Sequence, residues 1–400
     1  MKRIASLLIG CALITIGSSS NLQAQENLNW LKNAKTTIVQ QLKKAGDTYT
    51  PGLNPRSVYP TGKVRLTHNN DWTTGFFPGS LWYGYEMSGD NKLKADARKF
   101  TLALDSVQYV KDNHDVGFML YCSYGNGYRL TNDKIYLPPL KNGAQNLANR
   151  FNPTVGAIRS WDFGKWQYPV IIDNMMNLEF LFWSADKFKK PEFAKVAEQH
   201  AITTMKNHFR EDISSYHVID YDTLSGRAIS KGTYQGLTDE SAWSRGQAWG
   251  LYGYVMSYKE TKNKIFLDFA VQIASFIMNH PNTDVDKIPY WDYDVHNNGE
   301  RAFKDASAGA VIASALLDLS KEVKDGQKYF DYAEFMLKSL SSPEYLAAPN
   351  TNHSFILKHS VGALLYNSEV NTPINYADYY YLEALLRYAS LKNIDLKTIN

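Results

Sequence analysis

Cysteine is almost absent: the 400-residue chain holds two, Cys11 and Cys122. Cys11 falls in an apolar leader, so a chain that has lost the leader keeps Cys122 alone. That excludes an internal disulfide framework and a cysteine-based zinc site. Charge of one sign is lacking too. The formal balance is +3, and removing the leader takes away Lys2 and Arg3 and no acid, leaving +1. A field that weak does not select nucleic acid. Beyond the leader no stretch stays apolar for the ~18 residues of a membrane span. Also missing are a G-x-S-x-G elbow, a phosphate-binding glycine loop, an H-E-x-x-H pair and a dinucleotide fingerprint.

What is present begins with the leader itself. "MKR" supplies positive charge, "IASLLIGCALITIG" is an apolar core and "SSSNLQA" a small, polar tail. This is a secretory signal pattern over residues 1–24, with cleavage expected after Ala24. "LIGC" also resembles a lipoprotein box at Cys11, but the apolar stretch before it is short and runs on past it, which favours ordinary cleavage. The expected destination is a bacterial periplasm. Aromatic content is high, with 27 Tyr and 9 Trp, and such rings fill cores and also stack on sugars.

Apolar periodicity at helix spacing repeats along the rest of the chain. It predicts twelve helices, near 28–45, 75–88, 91–110, 114–124, 173–188, 191–209, 241–260, 263–280, 304–323, 326–341, 353–366 and 376–392. Four junctions, "SGDNKLKADA", "KFKKPEFAKVA", "ETKNKIFLDFA" and "VKDGQKYFDYA", share a lysine-bearing turn, then an aromatic or leucine, then alanine. They read as a weak repeat of helical hairpins. Without convincing alternating strands, the expected class is all-α, six hairpins closing into a double ring. No Pro- or Gly-rich linker divides residues 25–400, so one domain is expected. The tracts 46–74, 125–172, 210–240 and 281–303 are read as loops, where binding chemistry concentrates.

Four stretches carry the candidate chemistry: "NHDVGFMLYCSYGNGYRLT" (113–131), "HNNDWTTGFFPGSLWYGYE" (68–86), "YPVIIDNMMNLEFLFWSA" (168–185) and "YHVIDYDTLSGRAISKGTYQGLTDESAWSRGQAWGLYGY" (216–254). Read singly, Asp115 and Asp173 each stand where an N-cap aspartate would accept backbone N–H bonds. His114 and His217 pass for ordinary histidines, and Trp243 and Trp249 for core. Arg245 is different: a guanidinium flanked by tryptophans must find a partner if buried, and a carboxylate-bearing substrate would provide one. Acids, aromatics and a few imidazoles are the inventory of a carbohydrate-active site.

Together "DWTTGFFPGSLWYGYE", "HDVGFMLY", "VIIDNMMNLEFLFW", "TYQGLTDESAWSRGQAWGLYGY" and "NYADYYYLEALLRY" resemble the unsaturated glucuronyl hydrolases of glycoside hydrolase family 88, in order through residues 30 to 392. The resemblance implies an (α/α)6 barrel, agreeing with the helix count. It also implies a substrate whose non-reducing end is a 4,5-unsaturated uronic acid left by a polysaccharide lyase, glycosaminoglycan disaccharides being favoured. The reaction is hydration of the vinyl ether, not displacement. By motif, Asp173 is then general acid and base and Asp115 its partner. His114, Trp161, His217, Gln235, Trp243, Arg245 and Trp249 line the pocket, His217 and Gln235 orienting sugar hydroxyls or water, Arg245 and the tryptophans holding the ring and its carboxylate. Ser354, Lys358 and Ser360 are candidates for sulfate or hydroxyl recognition, against the plainer reading of a polar helix end. No metal or organic cofactor is implied, and no partner other than the unsaturated oligosaccharide. Two alternatives stand beside this: a rhamnogalacturonyl or ulvan-type hydrolase, and a non-catalytic sugar-binding protein.

Overall fold

The computed structural model describes residues 12–295 and 301–399. Cys11 and the first part of the predicted leader lie outside these residues. Helix α1 (Ala12–Thr48) is followed by α2 (Phe76–Ser88), α3 (Asn91–Leu102), the short α4 (Val116–Leu120) and α5 (Asn126–Thr131), and α6 (Leu137–Ala148). Then come α7 (Asn174–Phe188), α8 (Pro191–Asn207), α9 (Ser244–Thr261), α10 (Lys264–Asn279), α11 (Ala306–Glu322), α12 (Gln327–Leu340) and α13 (Asn375–Leu391). A π-helical turn, Tyr121–Gly125, joins α4 to α5 into one helical unit.

The packing closes. Helix α2 touches the α4–α5 unit, α4 touches α7, and the chain of neighbours runs on through α9, α11 and α13 back to α2. Helices α1, α3, α6, α8, α10 and α12 pack outside this ring. The result is an (α/α)6 barrel. Inner helices are buried almost all round: in α11 every residue from Ala306 to Leu319 is buried. Outer helices bury one stripe, as α12 does with Tyr329, Ala333, Met336, Leu337 and Leu340. Glycine lets inner helices approach closely. A Cβ on Gly117 would lie 2.3 Å from Asn177 Oδ1, and one on Gly253 2.5 Å from Met175 Cβ.

All four lysine-bearing junctions turn from an inner to an outer helix. Three of them close the inner helix with a left-handed residue, Gly89, Lys189 and Lys262, and Asp90 and Asn263 cap the outer helices α3 and α10.

Two expectations are corrected. Segment 353–366 is not a helix. It holds two single 3₁₀ turns, left-handed backbone at His353, Ser354 and His359, and extended bridges Leu346↔Leu357 and Ser360↔Thr372. The Asp378 carboxylate accepts from Ile356 N and Leu357 N, which takes those amides out of any helical ladder. The sixth outer helix is α6, inside a tract read as loop. Its two prolines stand in the first turn, where no N–H is needed. The loops also form short sheets, β1 (Asn54–Val58) with β2 (Val64–Thr67), β3 (Phe151–Asn152) with β4 (Ala157–Ile158), and β5 (Pro169–Ile171), β6 (Val218–Tyr221) and β7 (Ala228–Gly232) together.

Candidate active site

The N-terminal ends of the six inner helices share one mouth of the barrel, and the candidate residues gather there. Asp115 and Asp173 stand at the N-cap positions of α4 and α7, yet neither side chain makes a capping hydrogen bond. Both carboxylates are turned to other partners. His114 Nε2 lies 3.4 Å from Asp115 Oδ1, and His217 Nε2 lies 3.5 Å from Asp173 Oδ2.

The backbone explains how residues far apart in sequence meet. Strands β5 and β6 pair Ile171 with Val218, and Ile172 N donates to His217 O, so Asp173 and His217 leave the same small sheet together. His114 N donates to Ser160 O. The Ser160 hydroxyl donates to Asn174 Oδ1 and accepts from Ile171 N, while Asn174 Nδ2 donates to Ile158 O. One buried network thus ties the 114, 160 and 173 segments.

The tautomers follow from these contacts. Tyr234 N and Gln235 N both donate to His217 Nδ1, at 3.0 and 3.1 Å. That nitrogen is an acceptor, so the ring proton sits on Nε2, facing Asp173. Asn177 Oδ1 accepts from Phe118 N, leaving its Nδ2 3.4 Å from His114 Nδ1 and sending the His114 proton to Nε2, toward Asp115. Asp173 Oδ2 and His217 Nε2 are buried and make no hydrogen bond among the described residues. Buried polar atoms left in this state mark catalytic and binding sites.

Electrostatics separate the groups. Burial, then the charge of Asp173, then that of Asp71, hold the Asp115 carboxyl well above the usual range. Burial, with Arg150 and His217, pushes His114 well below an ordinary histidine, so it stays neutral. The site therefore offers two acidic groups, Asp115 and Asp173, each with a fixed imidazole N–H directed at it.

Around this pair, Trp243 lies against the His217 ring at 4.6 Å, and Trp161 bridges Asn113 and stacks on Phe163 at 5.0 Å. Gln235 Nε2 donates to Gly362 O. Arg245 has a partner within the protein: its buried guanidinium pairs with Asp305 at 2.9 Å and donates to Val361 O and Gly362 O. It packs over Trp243 and pins the 361–362 loop. Trp249 is fully buried beneath the site, against Phe118 and Tyr380.

The C-terminal candidates divide. Ser360 pairs by backbone with Thr372 on the loop that Arg245 holds, with its hydroxyl unpartnered among the described residues. Ser354 instead lines a small cavity against Leu42 of α1 and Phe77 of α2. Lys358 Nζ donates to Pro343 O. Among the described residues neither side chain hydrogen-bonds to the His–Asp pairs, and Ser354 ends the polar 3₁₀ turn Asn352–Ser354.

Several contributors were missed. Arg56 forms a two-point pair with Glu369 at 2.6 and 2.8 Å and a third bond to Asp71 at 2.7 Å, which presents Asp71 to Asp115. Asp292, its carboxyl raised to about 6 by burial, holds the 237–241 loop through Leu237 N and the Ser241 hydroxyl. Only Asn177 left a signal, four residues after Asp173 on the same helix face. Among the described residues no three His, Cys, Asp or Glu side chains converge as a metal site would.

The model of Glycosyl Hydrolase Family 88 matches residues 53–390. The chain belongs to that family. It is a glycosidase. It is 43% identical over 349 residues to an unsaturated glucuronyl hydrolase of Formosa agariphila, covering 86% of this chain and 87% of that one. It is 32% identical to an unsaturated chondroitin disaccharide hydrolase of Streptococcus agalactiae, over 86% of each chain. A crystal structure of an unsaturated glucuronyl hydrolase specific for heparin superposes with a TM-score of 0.92 at 69% identity, covering 93% of this chain and 100% of that one.

Proposed function

We propose that this family 88 glycosidase removes the 4,5-unsaturated uronic acid from the non-reducing end of lyase-generated glycosaminoglycan disaccharides, by hydrating the C4=C5 bond. The observation that carries the reading is the pair of His–Asp couples at one mouth of the barrel, with both imidazole protons directed at carboxylates. Asp173 and Asp115 lie close enough for the charge of Asp173 to help raise the Asp115 carboxyl. A proton passes from Asp173 to C4, and positive charge develops at C5 and the ring oxygen. Water adds its oxygen at C5 and returns a proton to Asp173. The hemiketal then opens to a keto uronate and releases the remaining sugar. His217 and Gln235 orient the water or sugar hydroxyls, and Trp161 and Trp243 offer stacking faces.

The 69% identity to a heparin-specific hydrolase favours heparin-type disaccharides over chondroitin or hyaluronan types. Rhamnogalacturonyl and ulvan-type substrates are not favoured by any of the named relatives. The N-terminal charge and apolar pattern support export to a periplasm, with residues 25–400 as the working domain. Unsaturated disaccharides from heparin, chondroitin, hyaluronan and rhamnogalacturonan, each followed by loss of the enol-acid ultraviolet absorbance, test the assignment. The heparin product should react with the highest kcat/KM; binding without absorbance loss on every sugar would leave a sugar-binding protein instead.

A further inference from the structure

The barrel has a second mouth, and an aromatic partition closes it off from the first. Phe118 packs against Trp72, Phe76 and Trp249 at 5.7, 5.2 and 5.5 Å, and Tyr380 meets Trp249 at 5.5 Å. Behind this layer the later turns of the inner helices enclose a cavity of about 560 Å³. That is the size of a small-molecule site, and Asp115, Asp173 and His217 are not among its lining residues.

Its charges are nearly all matched. Arg129 pairs with Glu86. Arg387 reaches Asp318 at 3.1 Å and Glu383 at 3.3 Å, and Lys321 reaches Asp318 at 2.9 Å. Glu383 also accepts from Tyr83, Tyr252 and Ser314. Glu179, on α7, lines the cavity, and among the described residues no hydrogen bond or ion pair reaches it. Around it stand Glu383 and Arg387 from α13, Lys259 and Glu260 from α9, and Tyr121 and Cys122 from the π turn. Burial, then Glu383, raise its carboxyl to about 7. A further feature favours positive charge: Tyr121 and Trp183, 5.5 Å apart, bring aromatic faces to the same wall.

We propose that this rear cavity binds a small organic cation, a primary ammonium on a body about one ring in size, with the ammonium on Glu179 and the ring against Tyr121 and Trp183. Cyclohexylammonium is a suitable probe, because it stays protonated across the range in which Glu179 titrates, and cyclohexanol is its neutral counterpart. Calorimetric titration of the full chain at about pH 8 should show saturable binding of the amine and at least tenfold weaker binding of the alcohol. At about pH 5.5, where Glu179 is protonated, the amine should bind at least tenfold more weakly. Glu179→Gln should abolish the preference for the amine while hydrolysis continues, which also reports that the variant is folded. Asp173→Asn should leave amine binding intact. The proposal fails if the amine does not bind at the higher pH, if its binding survives Glu179→Gln, or if Asp173→Asn removes it.

Discussion

The two mouths of the barrel are built from the same six helices and treat carboxylates in opposite ways. At the N-terminal mouth Asp115 and Asp173 each have an imidazole N–H directed at them, set by Asn177 behind the His114 ring and by the Tyr234 and Gln235 amides behind the His217 ring. In the rear cavity no hydrogen bond or ion pair reaches Glu179 among the described residues, while Glu383 is surrounded by hydroxyls and Arg387. The difference teaches that burial raises a carboxyl's pKa at either end, as it does for Asp115 and Glu179, but only an ordered donor beside it makes a group fit for proton transfer.

The sharpest way to break this contrast is to remove the front carboxylate. Asp173→Asn should lower kcat about a thousandfold with KM changed only a few-fold, in the range of lost acid–base catalysis; an unchanged kcat would end the assignment. Next comes the pin beneath the site. Arg245 and Asp305 are both buried, so Asp305→Asn leaves a buried guanidinium unpaired and should cost about 3–5 kcal/mol in denaturant unfolding. A loss below about 1 kcal/mol would show that the pair does not hold the 361–362 loop.

A smaller effect should appear in stability against pH. Glu179 has a folded pKa of about 7 against 4.5 for an ordinary glutamate. Ionising it therefore opposes folding, and stability should fall as pH rises from about 4.5 through 7, by on the order of 2 kcal/mol once water in the cavity is allowed for. Glu179→Gln should flatten that part of the profile, and an unaltered slope would place the loss elsewhere. Asp115, raised by the same cause, contributes a fall of the same sign that Asp115→Asn removes together with activity. The smallest effect belongs to Lys358→Ala, whose ammonium donates to Pro343 O: less than about 0.5 kcal/mol in stability and under twofold in rate.

Much of this was legible beforehand, for physical reasons that vary by element. Helices such as α9 and α13 sit between polar turns and carry long apolar runs, so their ends were readable to within a few residues. Helix α6 was hidden because "LPPLKNG" presents proline and glycine, which read as loop until the prolines are placed in the first turn. The 353–366 segment shows helix-like spacing, but Asp378, from the following helix, claims its amides. In the site, short motifs exposed Asp115, Asp173 and both histidines. The Arg56–Glu369 pair spans 313 residues and the Arg245–Asp305 pair 60, separations that no local pattern encodes.

The central claim is that the front mouth delivers a proton to C4 of the unsaturated uronate. The most direct test is early-time proton NMR of the reaction in D₂O with the heparin-derived disaccharide. The account predicts one solvent deuterium at C4, on a single face, appearing as fast as the alkene signal disappears and absent with Asp173→Asn. Release of the free uronate with its C4 vinyl proton still present would mean displacement at C1, and would contradict it.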